Sequence, residues 1–185
     1  MVEPTYQRGN LRDVLLDQAE SVLKQRGIDE LSLRELAREA GVSHGAPRSH
    51  FIDRKALLDA LGERGFIRLA DEMRAGADTA PESHDAALRS SARAYLQFAV
   101  SNAALLDLMF AAKMDAPPAS LLAAAERLFA TISEIVAEDE HTTLLISVTM
   151  QGIATFVASR RITMAKGEEL IDDAIARILK GDDRD

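Results

Sequence analysis

The sequence predicts an all-α fold, and three observations carry that reading. Apolar residues recur at three- and four-residue spacing along almost all of the 185-residue chain. No run of four or more residues alternates apolar with polar between turn residues, as a half-buried strand would. Capping residues and glycines stand where successive helices would start and stop.

Asn10 predicts the first N-cap, with Asp13 in the first turn, where the helix dipole favours an anion. Leu11, Leu15, Ala19 and Leu23, with Val14 and Val22, form the buried stripe, and Gly27 ends that helix in a left-handed conformation. Ser32 followed by Glu35 has the spacing of a capping box. Leu33, Leu36, Ala37 and Ala40 give the second helix its inner face, and Gly41 closes it. Ser43 opens a short helix through His50. Pro47 lacks an amide hydrogen and crowds the preceding turn, so this segment is expected to be irregular. Phe51 anchors its end. Asp53 then caps a long fourth helix through Leu57, Leu58, Leu61, Phe66, Leu69 and Met73. After Gly76 the chain turns alanine-rich, leucine-rich and acidic, and Pro81 marks a loop. Further helices are expected over roughly 83–101, 103–113, 119–138, 140–161 and 168–180, punctuated by Asn102, Pro117-Pro118, Asp139 and Gly167. There is no internal repeat.

The chain has no cysteine, which excludes disulfides, thiolate zinc sites and a cysteine nucleophile. The polar start, Met1 to Asn10, lacks the apolar core of a signal peptide. No apolar stretch is read as reaching the ~18 residues of a membrane span. A soluble, cytoplasmic protein with no membrane partner is expected. The formal charge is −8, but it is unevenly placed. Residues 1–68 balance 11 Lys and Arg against 11 Asp and Glu, so the acidity lies entirely beyond them. Within 43–55, Arg48, Arg54 and Lys55 face only Asp53. Phosphate contacts depend on local potential, so this strip is compatible with nucleic acid.

Residues 32–51 have the mechanics of a helix-turn-helix. A short capped helix ends at Gly41, a turn of Gly41-Val42-Ser43 redirects the chain, and a second segment presents His44, Arg48 and Ser49. In that geometry the second segment enters the major groove and the first lies across the backbone.

Gly27 to Leu58, GIDELSLRELAREAGVSHGAPRSHFIDRKALL, resembles the DNA-binding domain of TetR-type regulators. Ser32, Arg34, Gly41, Val42, Ser43, Gly45, Ala46, His50 and Phe51 fit that pattern, and Tyr6, Gly9, Asn10, Leu11 and Arg12 match one branch's entry to the first helix. Where the family usually has Tyr, this chain has Arg48, which can contact phosphate or read guanine. Ala94 to Phe110 is similar to a ligand-domain segment of one branch, which usually carries His-Gly where this chain has Gln151-Gly152.

The resemblance implies a three-helix helix-turn-helix module over 1–56 and a helical ligand-binding and dimerisation bundle over 57–185. The implied partners are double-stranded operator DNA, a small and largely apolar effector, and a second copy of the chain. No cofactor or metal is called for. The expected DNA-binding residues are Ser32, Arg34, Ser43, His44, Gly45, Ala46, Arg48, Ser49, His50, Arg54 and Lys55. Phe98, Met109, Phe110, Met114, Phe129, Met150, Gln151 and Thr155 are candidates for a ligand pocket, since such pockets are mostly apolar. Leu144, Val148 and Gly152 on one helix, with Ile171, Ile175, Ile178 and Leu179 on the next, are the expected dimer face.

Two other readings compete. Gly41-Val42-Ser43-His44-Gly45 matches the G-x-S-x-G elbow of serine hydrolases, which needs a strand before it. The absence of the family Tyr also fits a helical interaction protein without DNA binding. His44 and His50 are six apart and do not share a helical face, so they are not read as a metal pair. His84 and His141 are read as loop or cap residues. The expected activity is regulatory, not enzymatic.

Overall fold

The computed structural model describes residues 8–43, 45–114 and 116–181. They form α1 (Arg8–Arg26), α2 (Leu33–Glu39), α3 (Arg54–Asp78), α4 (His84–Ser101), α5 (Ala103–Met114), α6 (Ala119–Val136), α7 (Glu140–Ala158) and α8 (Met164–Gly181). Short 3₁₀ turns lie at Ile28–Glu30 and Pro47–Ser49, and the described residues contain no strand. The all-α expectation holds. The chain divides into two compact units. One runs up to Gly65 and includes Ala104–Leu122; the other comprises Phe66–Ala103 and the residues from Ala123 onward.

In the first unit, α1 begins at Arg8, so Asn10 lies inside the helix and not at its cap. Leu15, Leu16, Ala19, Val22 and Leu23 fill one face of α1 and are buried with Leu31, Leu36, Phe51, Leu57 and Leu61. Each such leucine contributes about 1.5–3 kcal/mol by leaving water. The Ser32 hydroxyl accepts the Glu35 amide at 3.2 Å, as the capping signal requires. The Glu35 carboxylate does not return the bond; Arg26 and Arg38 hold it. At the other end of α2, the Val42 amide donates to the Ala37 carbonyl at 3.0 Å and the Gly41 amide to Arg38 at 3.3 Å. This two-bond terminator needs a left-handed residue, and Gly41 supplies it at φ +66°.

In the second unit, α4, α7 and α8 pack on one another. The Ser83 hydroxyl caps α4 through the Ala86 amide, and the Asp139 carboxylate caps α7 through the His141 and Thr142 amides. Gly167 does not break the chain, as its expected role required. It is buried inside α8, which begins at Met164. A Cβ there would lie 2.6 Å from Val157 Cγ2 and 3.2 Å from Leu96 Cδ2, so its role is close helix approach. Asp172 on α8 receives Arg89 and Arg93 from α4.

α7 has two unlike faces. Ile146, Met150, Ala154 and Val157 are buried, whereas Leu144, Leu145, Val148 and Phe156 are exposed. The hydroxyls of Ser147, Thr149, Thr155 and Ser159 each donate to the carbonyl four residues earlier on the same helix. With 19 residues and a mean hydropathy of 1.3, α7 does reach the length and apolarity of a membrane span, contrary to the sequence reading. Its buried face is explained by α4 and α8; its exposed face is not covered within the protomer.

The expected dimer face needs correction on α8. Ile171 is 1% and Ile175 0% exposed in the single chain. They belong to the protomer's own core and cannot also face a partner. Ile178 and Leu179 are half-buried. Leu144 and Val148 are 60% and 61% exposed, and a Cβ at Gly152 would meet nothing within 4 Å.

Candidate nucleic-acid interface

The segment between α2 and α3 is fixed by what it buries. Pro47 and Phe51 turn inward. The Arg12 guanidinium lies 5.6 Å from the centroid of the Phe51 ring and covers it. Because Pro47 cannot donate, the segment is held by three-residue bonds: Ala46 to Ser43 at 2.9 Å, Arg48 to Gly45 at 3.1 Å, Ser49 to Ala46 at 3.2 Å and His50 to Pro47 at 3.0 Å. The expected short helix is therefore a 3₁₀ segment, irregular for the reason its proline gives.

This anchoring leaves Ser43, Gly45, Arg48 and Ser49 exposed, with Ala46 and His50 half-buried. The Ser49 hydroxyl donates to the Ala46 carbonyl at 2.7 Å. A Cβ at Gly45 would meet nothing within 4 Å, so the backbone there is open to approach. His44 lies outside the described residues. The element before Ser43 is α2 and its terminator, not the strand a nucleophile elbow requires.

The cations around the segment fall into two groups. Arg26 and Arg38 surround Glu35, and Arg26 also reaches Glu39. The hydrogen bond from Arg38, reinforced by Arg26, pushes the Glu35 carboxyl down to about 2. Those charges are internally matched. Arg34 and Arg48 are exposed and have no carboxylate partner among the described residues. Ser32 is exposed, but its oxygen is committed to capping.

Arg54 and Lys55 are placed differently from the expectation. The Arg54 guanidinium donates to the Leu31 carbonyl at 2.8 Å and to the Ile28 carbonyl at 2.6 Å. It ties the start of α3 to the turn between α1 and α2, a positioning role that sequence reading missed. Lys55 reaches Asp59 at 2.8 Å and the Ala116 carbonyl at 3.3 Å.

The ligand-pocket candidates divide between the two units. Met109 and Phe110 belong to the first; Phe98, Phe129, Met150, Gln151 and Thr155 belong to the second. Phe98, Met109 and Met150 are core residues, while Phe110 and Phe129 are partly exposed. Met109 packs against the position a Gly65 side chain would take. Phe98 lies under the Arg68 guanidinium at 5.3 Å. Gln151 accepts the Tyr95 hydroxyl, and the Thr155 hydroxyl bonds the Gln151 carbonyl at 2.9 Å. The Met114 side chain is outside the described part.

Fold and segment together define a helix-turn-helix protein with an all-helical partner module. Comparison with known families and structures narrows this. The family model described as bacterial regulatory proteins, tetR family, matches residues 15–61, and that described as tetracyclin repressor-like, C-terminal domain, matches residues 88–178. A comparison with curated protein sequences finds no match. Among solved structures, a protein with unknown function from Rhodococcus sp. RHA1 is 37% identical, with 97% of this chain and 98% of that one covered at a TM-score of 0.85. A TetR-like transcriptional regulator from Rhodococcus sp. RHA1 is 20% identical over 95% and 99% of the two chains, TM-score 0.71. The TetR-family regulator PfmR from Thermus thermophilus is 17% identical over 90% and 97%, TM-score 0.63. The last two show likeness of fold. The chain belongs to the TetR family of transcriptional regulators.

Proposed function

We propose that the protein is a cytoplasmic homodimeric repressor that binds a palindromic operator through residues 43–50 and leaves it when a small, largely apolar effector binds. One observation carries this reading. The 43–50 segment is anchored from beneath by Pro47 and Phe51 and presents Gly45, Arg48 and Ser49 outward, with Arg34 and Arg48 unpaired by carboxylates among the described residues. Residues 1–56 are the proposed DNA-binding part and 57–185 the regulatory part. Two segments about 34–36 Å apart in a dimer match successive major grooves. An effector that prefers protomers with another separation lowers operator affinity by that preference.

The exposed strip of α7 supports the dimer. Leu144, Val148 and Phe156 flank the open Gly152, so a second α7 can approach closely. Ile178 and Leu179 are its proposed companions on α8.

The test is protection of an inverted repeat in the DNA upstream of the protein's own gene, with affinity falling steeply as salt rises. Equal affinity for that DNA and random DNA overturns the reading in favour of a helical interaction protein. Arg48→Ala separates two roles. Relaxed discrimination at one base pair, by about 1–3 kcal/mol, marks guanine reading. A uniform loss across sequences marks a phosphate contact.

A further inference from the structure

Many of the arginines are held by acids. Arg26, Arg38, Arg64, Arg74, Arg89, Arg93 and Arg127 each lie within ion-pair distance of Asp or Glu. Arg160 and Arg161 have no carboxylate partner among the described residues. They are adjacent in the turn between α7 and α8, in the unit that carries most of the chain's excess negative charge. The Arg161 guanidinium rests 5.3 Å from the Phe156 ring centroid.

The backbone of this turn repeats the terminator seen at Gly41. The Arg161 amide donates to the Phe156 carbonyl and the Arg160 amide to the Val157 carbonyl, both at 2.9 Å. The left-handed position here is filled by Arg160, at φ +58°, where glycine is the residue without strain. A large charged side chain stands where the backbone disfavours any side chain at all.

Both arginines line an open recess of about 390 Å³, together with Val100, Val157, Ile162 and Met164. That is within the ~300–1,000 Å³ of small-molecule sites. No acidic side chain lines it. α8 begins at Met164, and the positive end of its dipole adds to the same sign.

We propose that this recess binds a small amphipathic anion. A single carboxylate or phosphate headgroup meets the Arg160 and Arg161 guanidiniums, whose planar forks suit either group. A short apolar body lies against Val100, Val157, Ile162 and Met164.

The test is calorimetric titration of the full-length protein with octanoate and with octyl phosphate. Saturable binding of one per protomer is expected, and the tighter of the two identifies the headgroup. Octan-1-ol, which lacks the charge, and inorganic phosphate, which lacks the apolar body, should bind at least tenfold more weakly. Arg160→Gly keeps the left-handed turn, so its melting temperature should not fall, while affinity drops at least tenfold. The double variant R160G/R161Q should lose binding. Undiminished binding by the double variant, equal binding of octan-1-ol, or no saturable binding of either amphiphile overturns the proposal. The readout needs no DNA, so its failure leaves the operator-binding reading intact.

Discussion

Replacing Val148 by Asp tests the proposed dimer, on which the proposed operator binding rests. Val148 is 61% exposed in the protomer. Burying a whole valine or leucine side chain is worth about 1.5–3 kcal/mol, so covering three-fifths of one is worth roughly 1–2 kcal/mol. A two-fold interface contains the residue twice, which makes roughly 2–4 kcal/mol per dimer. Losing that weakens dimerisation roughly 30- to 1,000-fold, before the repulsion of two facing carboxylates is added. Sedimentation over a range of concentrations measures the constant directly. The fold should be untouched, because three-fifths of the side chain already faces solvent in the protomer. Ile175→Asp is the informative contrast. Ile175 is fully buried, so its variant should melt early or fail to fold, and loss of dimers there would say nothing about the interface. If V148D has the wild-type dissociation constant, the exposed face of α7 is not the dimer surface.

Other perturbations test individual parts. Arg54→Ala removes two charge-assisted bonds to the Ile28 and Leu31 carbonyls and should destabilise the chain by about 1–3 kcal/mol in a denaturant melt, with DNA binding falling alike for all sequences. Gly41→Ala meets no atom but forces alanine to φ +66°, a strain of about 1–2 kcal/mol that should lower the melting temperature by roughly 2–8 °C. The Asp139 carboxyl is held low by the Thr142 hydroxyl and by the Thr142 and His141 amides. Its cap is therefore fully effective above the ordinary carboxylate range and is lost as pH falls through its depressed value. Asp139→Asn should flatten the fall in melting temperature below about pH 4. Burial pushes the Tyr95 phenol up to about 12, so ultraviolet titration should show a late phenolate step that Tyr95→Phe removes.

Local signals were the most legible in the sequence. Ser32, Gly41, Asp53 and Pro47 act on neighbours within a few residues, and each does what its chemistry implied. Signals that depend on distant partners were misread. A basic residue beside a recognition segment resembles a phosphate contact, yet two carbonyls more than twenty positions earlier claim Arg54. Gly167 resembles a helix stop until the nearness of Val157 and Leu96 gives another reason for lacking a side chain. On α8, Ile171, Ile175, Ile178 and Leu179 share one period, and periodicity cannot say which of them the protomer itself covers. The recess beside Arg160 carried one usable signal: an Arg-Arg pair following a helix with no acid nearby in sequence.

The internal bonding of the α7 hydroxyls bears on how the proposed dimer would select its partner. Serine and threonine donors that face their own carbonyls make no demand on a neighbouring surface. The outward strip therefore carries little directional polarity with which to tell one apolar helix from another. If this strip is the dimer surface proposed above, discrimination would come from relief: the notch at Gly152 between the exposed Val148 and Phe156. Among chains with similar strips, the placing of such a notch would then decide which of them fit together. Moving the glycine by one helical turn would change which chains can pair.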